Sequence, residues 1–470
     1  LAVKGDAGGR DWRAGGGAID SRTLHPGDLF VALKGPRVDG HAFVVDAFRQ
    51  GAAAAVVERA YVSAAPDGAL LRVADTQEAL EDLGRAGRAR TRARVCAVTG
   101  SVGKTGVKEA LRHVLSRQGP QGSKTAASVG SFNNQWGVPL SLARMPRDSA
   151  FGVFEIGMNH PGEITPLARM ARPHVAVVTA IASTHMEFFP NLEAIADAKA
   201  EIFLGVEPGG AAVLPADSDQ YPRLAAAARA AGIARVMAFG LGDAADTVAR
   251  ARSFALHADG SVIEADVAGR RIEYRLRLPG RHWVANSLAV LAAVHALGAD
   301  VAGAAAALAE VVAMKGRGER HCVALGGGTF LLIDESYNAS PASMAAAIAA
   351  AGAVSPEDGG RRIAMLGDMR ELGADAAARH AALAPLLAEA RFDLVFTAGP
   401  TMRVLADALP KAMRGGHAET AEALVPLATA ATRAGDVVMV KGSAGSRTNL
   451  IVRALLALGE NRPALAANGH

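Results

Sequence analysis

Thr99-Gly100-Ser101-Val102-Gly103-Lys104-Thr105 is the segment of this chain whose residue types and spacing best suit a phosphate. It follows a β-branched apolar run, Val95 to Val98, and it opens a stretch of helical pattern that Gly106 continues. In that setting glycines let backbone N–H groups turn onto phosphate oxygens, and the helix N-terminus adds its positive end. Lys104 would reach the terminal phosphates and the Thr105 hydroxyl would ligate Mg²⁺. Only the shorter form of the motif is met, because Val98 stands where the longer form has its first glycine.

A phosphate loop names a nucleotide and leaves the reaction open, so other residues must discriminate. Glu155 interrupts the apolar run VFEIGMNH. A buried carboxylate without a partner is strongly disfavoured, so a metal or a charged group is expected beside it. His185 follows the run VAVVTAI at the end where open α/β sheets place ligands. Either residue alone is more often structural than catalytic; two at equivalent strand ends beside a phosphate loop favour a catalytic role. Lys199, in IADAKAEIF, reads from its neighbours Glu193, Asp197 and Glu201 as half of a surface ion pair. Asn133 and Asn134 lie in SFNNQWGVPL, a polar loop ahead of an apolar helix that reads equally well as an ordinary turn. Arginines 85, 88, 90, 92 and 94 have no interleaved aromatics and read as a solvated or interdomain helix end.

The elements that must position these residues are α/β units. The chain has 470 residues, 50% hydrophobic and 20% charged, which excludes disorder for the bulk and predicts about three domains. Its 50 basic and 46 acidic residues leave a formal charge of +4, no electrostatic case for nucleic acid or an anionic membrane. Two distant cysteines exclude a disulfide framework and suit a reducing cytoplasm. No apolar run reaches the length of a membrane span, and Lys4, Asp6, Arg10 and Asp11 argue against a secretory signal.

Boundaries are expected near residues 91 and 314, giving domains 1–90, 91–313 and 314–470. The first reads as a small α/β unit with strands at AIDSR, GDLFVAL, GAAAAVVE and ALLRVA and a helix near His41 to Gln50. The second reads as a doubly wound parallel sheet (RVCAVTG, AFGVFEIG, PHVAVVTAI, GGAAVLPAD), with helices over 104–118 and 191–204. An antiparallel excursion follows between 250 and 278, then helices over 283–297 and 301–312. The third reads as a Rossmann-like α/β domain with strands at LLIDES, RRIAMLGD, FDLVFTAG and DVVMVKGS, and the tail after Glu460 as frayed.

Together these residues resemble the Mur ligase family of ATP-dependent amide ligases, through TGSVGKTGVKE, EIGMNHPGEI, AKAEIF, GDMRELG and VKGS. The Asp-Asn-Pro-Arg signature of the sibling that adds the third amino acid is absent from the sequence. The resemblance implies a three-domain protein with a UDP-binding N-terminal domain and a P-loop ATPase-like central domain. It implies ATP and Mg²⁺ as cofactors, with Thr105 and Glu155 on one ion and His185 and a carbamylated Lys199 on a second. A carbamate turns the lysine into a hard oxygen ligand suited to Mg²⁺.

By the same resemblance, Asn286 and Arg317 would contact the ATP base and phosphates, and Glu335, Tyr337 and Asn338 its ribose and the reaction centre. Ser21, Arg22, Lys34, Gly35 and His41 would hold the UDP end of the acceptor. Asn133 and Asn134 would also meet substrate, and Lys441, Gly442 and Ser443 the incoming dipeptide. The implied substrates are UDP-N-acetylmuramoyl-tripeptide and D-alanyl-D-alanine, joined through an acyl phosphate by a cytoplasmic monomer that has no membrane span and binds no nucleic acid. Ser131, Lys315 and Glu335 depart from the usual family pattern.

Overall fold

The computed structural model describes residues 3–8, 11–62, 68–118, 124–242, 247–357, 359–459 and 461–463. Most of the tail after Glu460 therefore lies outside the described residues. The described chain forms three sheets, each flanked by helices.

The N-terminal sheet is parallel throughout, in the order β1 (Gly16–Ala18), β2 (Asp28–Val31), β3 (Ala54–Glu58), β4 (Leu70–Val73). The expected strand at AIDSR is shorter and earlier. Asp20 accepts from the Arg22 backbone N–H, and that cap turns Ser21–Thr23 into a 3-10 helix. Helix Thr76–Ala89 then leads out of this sheet, with Asp75 capping it through Gln77 and Glu78.

The central sheet holds β5 (Arg94–Thr99), β6 (Lys124–Ala127), β7 (Ser149–Glu155), β8 (Val175–Val178), β9 (Ala211–Pro215), β10 (Arg235–Gly240), β11 (Thr247–His257), β12 (Gly260–Val267) and β13 (Arg270–Leu276). Its order is β13-β12-β11-β10-β9-β8-β5-β7-β6. β7 and β6 thus lie on one side of β5 and β8 to β13 on the other, and the end of β5 is a switch point where open sheets place ligands. The antiparallel excursion is not separate: β11, β12 and β13 extend the same sheet, which is therefore mixed. β5, β7, β8 and β9 are buried on both faces between two hydrophobic clusters, which explains their unbroken apolar runs.

The C-terminal sheet runs β18 (Arg414–Ala418), β17 (Leu394–Ala398), β16 (Arg362–Gly367), β19 (Val437–Lys441), β15 (Gly328–Glu335), β14 (Glu319–Leu325), β20 (Asn461–Pro463). It is parallel from β18 to β15, and β14 pairs antiparallel with β15. β14 and β18 were not read from the sequence.

The arginine run is an interdomain helix end. Arg88 is buried and donates to the backbone oxygens of Ala171 and Arg172, while Arg90 donates to those of Ala143 and Met145. The first sheet is thereby fixed to the helices of the second. No helix among the described residues is long and apolar enough to cross a membrane.

Candidate active site

The phosphate loop lies between β5 and helix Lys104–Ser116, at the switch point. Gly100 and Gly103 have φ of 141° and 84°, backbone conformations that favour glycine. A Cβ on Gly103 would meet Asn286 Oδ1 at 2.9 Å, so Asn286, in helix Arg281–Ala296, packs directly on the loop. The end of β8 pins the other side. Thr179 Oγ1 donates to Val102 O at 2.5 Å, and Ser101 donates through its N–H to Ala180 O and through Oγ to Ala182 O. Thr105 is buried at the first turn of the helix. Lys104 Nζ folds back onto Gly100 O at 2.6 Å and Ser101 O at 3.3 Å. Desolvation lowers its pKa, with Glu155 opposing that shift and Arg317 adding to it.

Glu155 ends β7 in register with Val98 of β5, which carries its carboxylate to the loop. It is 1% exposed; Oε1 accepts from Asn133 Nδ2 at 2.7 Å and Oε2 has no partner among the described residues. Asn133 thus lies against Glu155, and Asn134 accepts from the N–H groups of Trp136 and Gly137 at the start of the following helix. Lys199 is not on the surface. It is fully buried and its Nζ has no partner among the described residues, because the acids around it turn elsewhere. Asp197 pairs with Arg223, and Glu201 accepts from Gly162, Thr165 N–H and Thr165 Oγ1. Burial drives the Lys199 pKa well down, and the positive charge of Lys104 drives it further. Both effects disfavour the protonated form of this amine.

His185 sits beyond β8 with φ 58°, its Nδ1 2.5 Å from Oε2 of Glu371. The His185 contact holds the Glu371 carboxyl below the usual range. The donor chemistry fits hard divalent cations: a hydroxyl from Thr105, an unfilled carboxylate oxygen from Glu155, an imidazole from His185 and, once carbamylated, a carboxylate on Lys199.

The C-terminal sheet delivers the second half. Arg317 follows Gly316, whose N–H donates to Asp334 Oδ2, and the Gly318 N–H donates to Asp334 O. Its guanidinium lies 4.1 Å over the Tyr337 ring, and Tyr337 Oη donates to Ser131 Oγ of the central part. Glu335 and Lys441 are register partners at the ends of β15 and β19, joined by Nζ to Oε2 at 3.1 Å. Lys441 also donates to Asn338 O. Ser443 Oγ accepts from the Arg370 N–H, and Gly442 packs on Ser446 and Thr448. Between the two parts a narrow pocket is lined by Pro279, His282, Trp283, Arg317, Glu335 and Ala350. Burial lowers the His282 pKa there.

In the N-terminal sheet Lys34 and His41 meet at Glu58: Lys34 Nζ contacts Oε2 at 2.6 Å and the Glu58 N–H donates to His41 Nε2. Gly35 lies against Trp136 of the central part. Ser21 and Arg22 are in the separate 3-10 turn, where Arg22 pairs with Asp20.

Sequence reasoning missed two groups. Lys108 is fully buried and donates to Ser128 O and Gly130 O, which holds the loop carrying Ser131 and Asn133. Its place four residues after Lys104, on one helix face, was the available signal. Glu371 lies in the GDMRELG motif, which marks the segment, but only the tertiary fold brings it to His185.

Three family models match in chain order: the Mur ligase family catalytic domain at residues 16–88, the Mur ligase middle domain at 98–294, and the Mur ligase glutamate ligase domain at 316–444. A UDP-N-acetylmuramoyl-tripeptide:D-alanyl-D-alanine ligase of Escherichia coli is 34% identical over 455 residues, covering 96% of each chain. The chain belongs to the Mur ligase family. Among solved members, a MurF of Acinetobacter baumannii superposes with a TM-score of 0.80 at 30% identity, covering 94% of this chain and 93% of the other. A Thermotoga maritima MurF in complex with ADP gives 0.77 at 26% identity, covering 95% and 97%. The Mur ligase resemblance read from the motifs is thereby borne out.

Proposed function

We propose that this chain is the ATP-dependent ligase that joins D-alanyl-D-alanine to UDP-N-acetylmuramoyl-tripeptide, releasing ADP and phosphate, as a monomer in the cytoplasm. The observation that carries the reading is a phosphate loop and a buried acid with an unfilled oxygen at adjacent strand ends, within electrostatic reach of a buried lysine of helix Leu192–Ala200 that has no partner among the described residues. The relatives of matching length that bear this ligase name support the choice of substrates.

The peptide carboxylate attacks the γ-phosphorus of ATP, giving an acyl phosphate and ADP. The dipeptide amine then adds to the acyl carbon, loses a proton and expels phosphate. Thr105, Glu155, His185 and a carbamylated Lys199 would hold Mg²⁺, which would supply charge neutralisation at the phosphates. Lys104 leaves the carbonyls of Gly100 and Ser101 for the phosphate oxygens and stabilises the transferring group. Gly100 to Gly106 supply backbone N–H groups and the helix N-terminus. Lys199 Nζ bonds to the carbon of CO₂ with loss of one proton, which removes a desolvated amine and provides a carboxylate.

Asn286 and the pocket beside it take the base, while Arg317, Tyr337, Asn338 and Glu335 close over the nucleotide and exclude water. In the division of labour we propose, residues 1–90 hold the UDP end through Ser21, Arg22, Lys34, Gly35 and His41. Residues 91–313 hold ATP, with Asn133 and Asn134 at the substrate side. Residues 314–470 present the dipeptide through Lys441, Gly442 and Ser443.

Phosphate release from ATP, measured with UDP-N-acetylmuramoyl-tripeptide with and without D-alanyl-D-alanine and with mass detection of product, tests the reading. Release that needs both substrates and yields a pentapeptide is expected. Release indifferent to the dipeptide would overturn the assignment.

A further inference from the structure

His185 and Glu371 face each other across the cleft between the central and C-terminal parts, Nδ1 to Oε2 at 2.5 Å. Both are non-glycine residues in the left-handed region, with φ of 58° and 63°. Two separate loops therefore hold unusual backbone conformations at the point where they meet. Their backbones are joined as well, through the Glu187 N–H and Glu371 O. His185 Nδ1 is buried and makes no well-aligned hydrogen bond among the described residues, and the Glu371 carboxylate is its ion-pair partner.

We propose that Glu371 is the positioning residue for His185, fixing the imidazole from the C-terminal part so that a cation ligand of the central part is set only when the two parts come together. The proposal rests on the reading of His185 as an ion ligand. A carboxylate beside Nδ1 selects the tautomer with the proton there, and that leaves the Nε2 lone pair for a cation. The imidazole belongs to the ATP-binding part and the carboxylate to the part that presents the dipeptide. Ion binding and closure are thereby coupled: an open cleft leaves the ring unoriented, and a bound ion favours the arrangement in which Glu371 is engaged.

The test is Mn²⁺ binding by electron paramagnetic resonance, with full-length protein in bicarbonate buffer and a non-hydrolysable ATP analogue, so that no turnover enters the readout. Glu371→Ala is expected to weaken one of the Mn²⁺ sites by about 10–100-fold. Glu371→Gln, whose amide oxygen still accepts from Nδ1–H, recovers most of that loss. The double variant with His185→Ala binds no more weakly than His185→Ala alone, because Glu371 acts through the imidazole. Should the alanine variant not fold, Glu371→Gln against Glu371→Leu gives the same contrast of an acceptor with none. Unchanged Mn²⁺ affinity in Glu371→Ala, with affinity lost in His185→Ala, would sink the proposal and leave the ion-ligand reading standing. Unchanged affinity in His185→Ala would instead remove that reading. Additive losses in the double variant also overturn the proposal, since Glu371 would then act elsewhere.

Discussion

Tyr337 Oη donates to Ser131 Oγ at 2.6 Å, a bond between residues 206 apart that ties the C-terminal part to the loop beside the phosphate site. Arg317 stacks on the same ring and reaches the same hydroxyl at 3.4 Å. Removing the Tyr337 hydroxyl keeps the ring under Arg317 and deletes the tie. Tyr337→Phe is therefore expected to raise KM for ATP by about 2–10-fold, the worth of one hydrogen bond, with kcat changed less. Steady-state kinetics decide it, and a fall in kcat at constant KM would contradict the closure role of this pair.

Lys104 is held by two carbonyl oxygens in a desolvated loop, an arrangement poor for stability and suited to phosphate. Lys104→Ala is expected to lower kcat by about 10²–10³-fold while leaving the melting temperature unchanged or higher. A variant that loses activity in proportion to lost folded protein would show the lysine to be structural.

Lys199 provides a pH signature. Its native pKa is depressed by burial and by Lys104, so the unfolded chain binds the extra proton throughout the window between that depressed value and the ordinary lysine range. More protons on the unfolded state mean that stability rises with pH there. In CO₂-free buffer the urea midpoint should climb as pH rises toward the ordinary lysine range, and Lys199→Met should flatten the climb and raise the midpoint at its lower end. Parallel curves for the two proteins would refute a charged-lysine penalty.

Within the arginine run, burial predicts which residue matters. Arg88 satisfies two backbone oxygens of the central part, whereas Arg92 is exposed. Arg88→Ala is expected to destabilise the protein by about 1–3 kcal/mol, and Arg92→Ala by less than about 0.5 kcal/mol. Equal urea midpoints for the two variants would dismiss the interdomain role.

The parallel strands and the phosphate loop were legible because they depend on local signals: β-branched runs, then glycines, then a helix start. Glu155 was legible as an acid out of place in an apolar strand. Lys199 was not, since its three acidic neighbours describe a solvated helix face and only the packing of helix Leu192–Ala200 against the sheet buries it. The hairpin partner β14 and the edge strand β18 carry His, Arg and Gly, so alternation is weak and pairing is decided by the strands beside them. Ser131 was read only as a departure from a family pattern, and its service to Tyr337 required the fold.

The nine-stranded sheet has an end of its own at β13, whose exposed positions carry Arg270, Arg271, Glu273 and Arg275. A second copy seeking to add a strand there would have to bring like charges face to face and strip water from guanidinium groups. The extension that lengthens the central sheet also terminates it in charge, which disfavours strand addition at that edge.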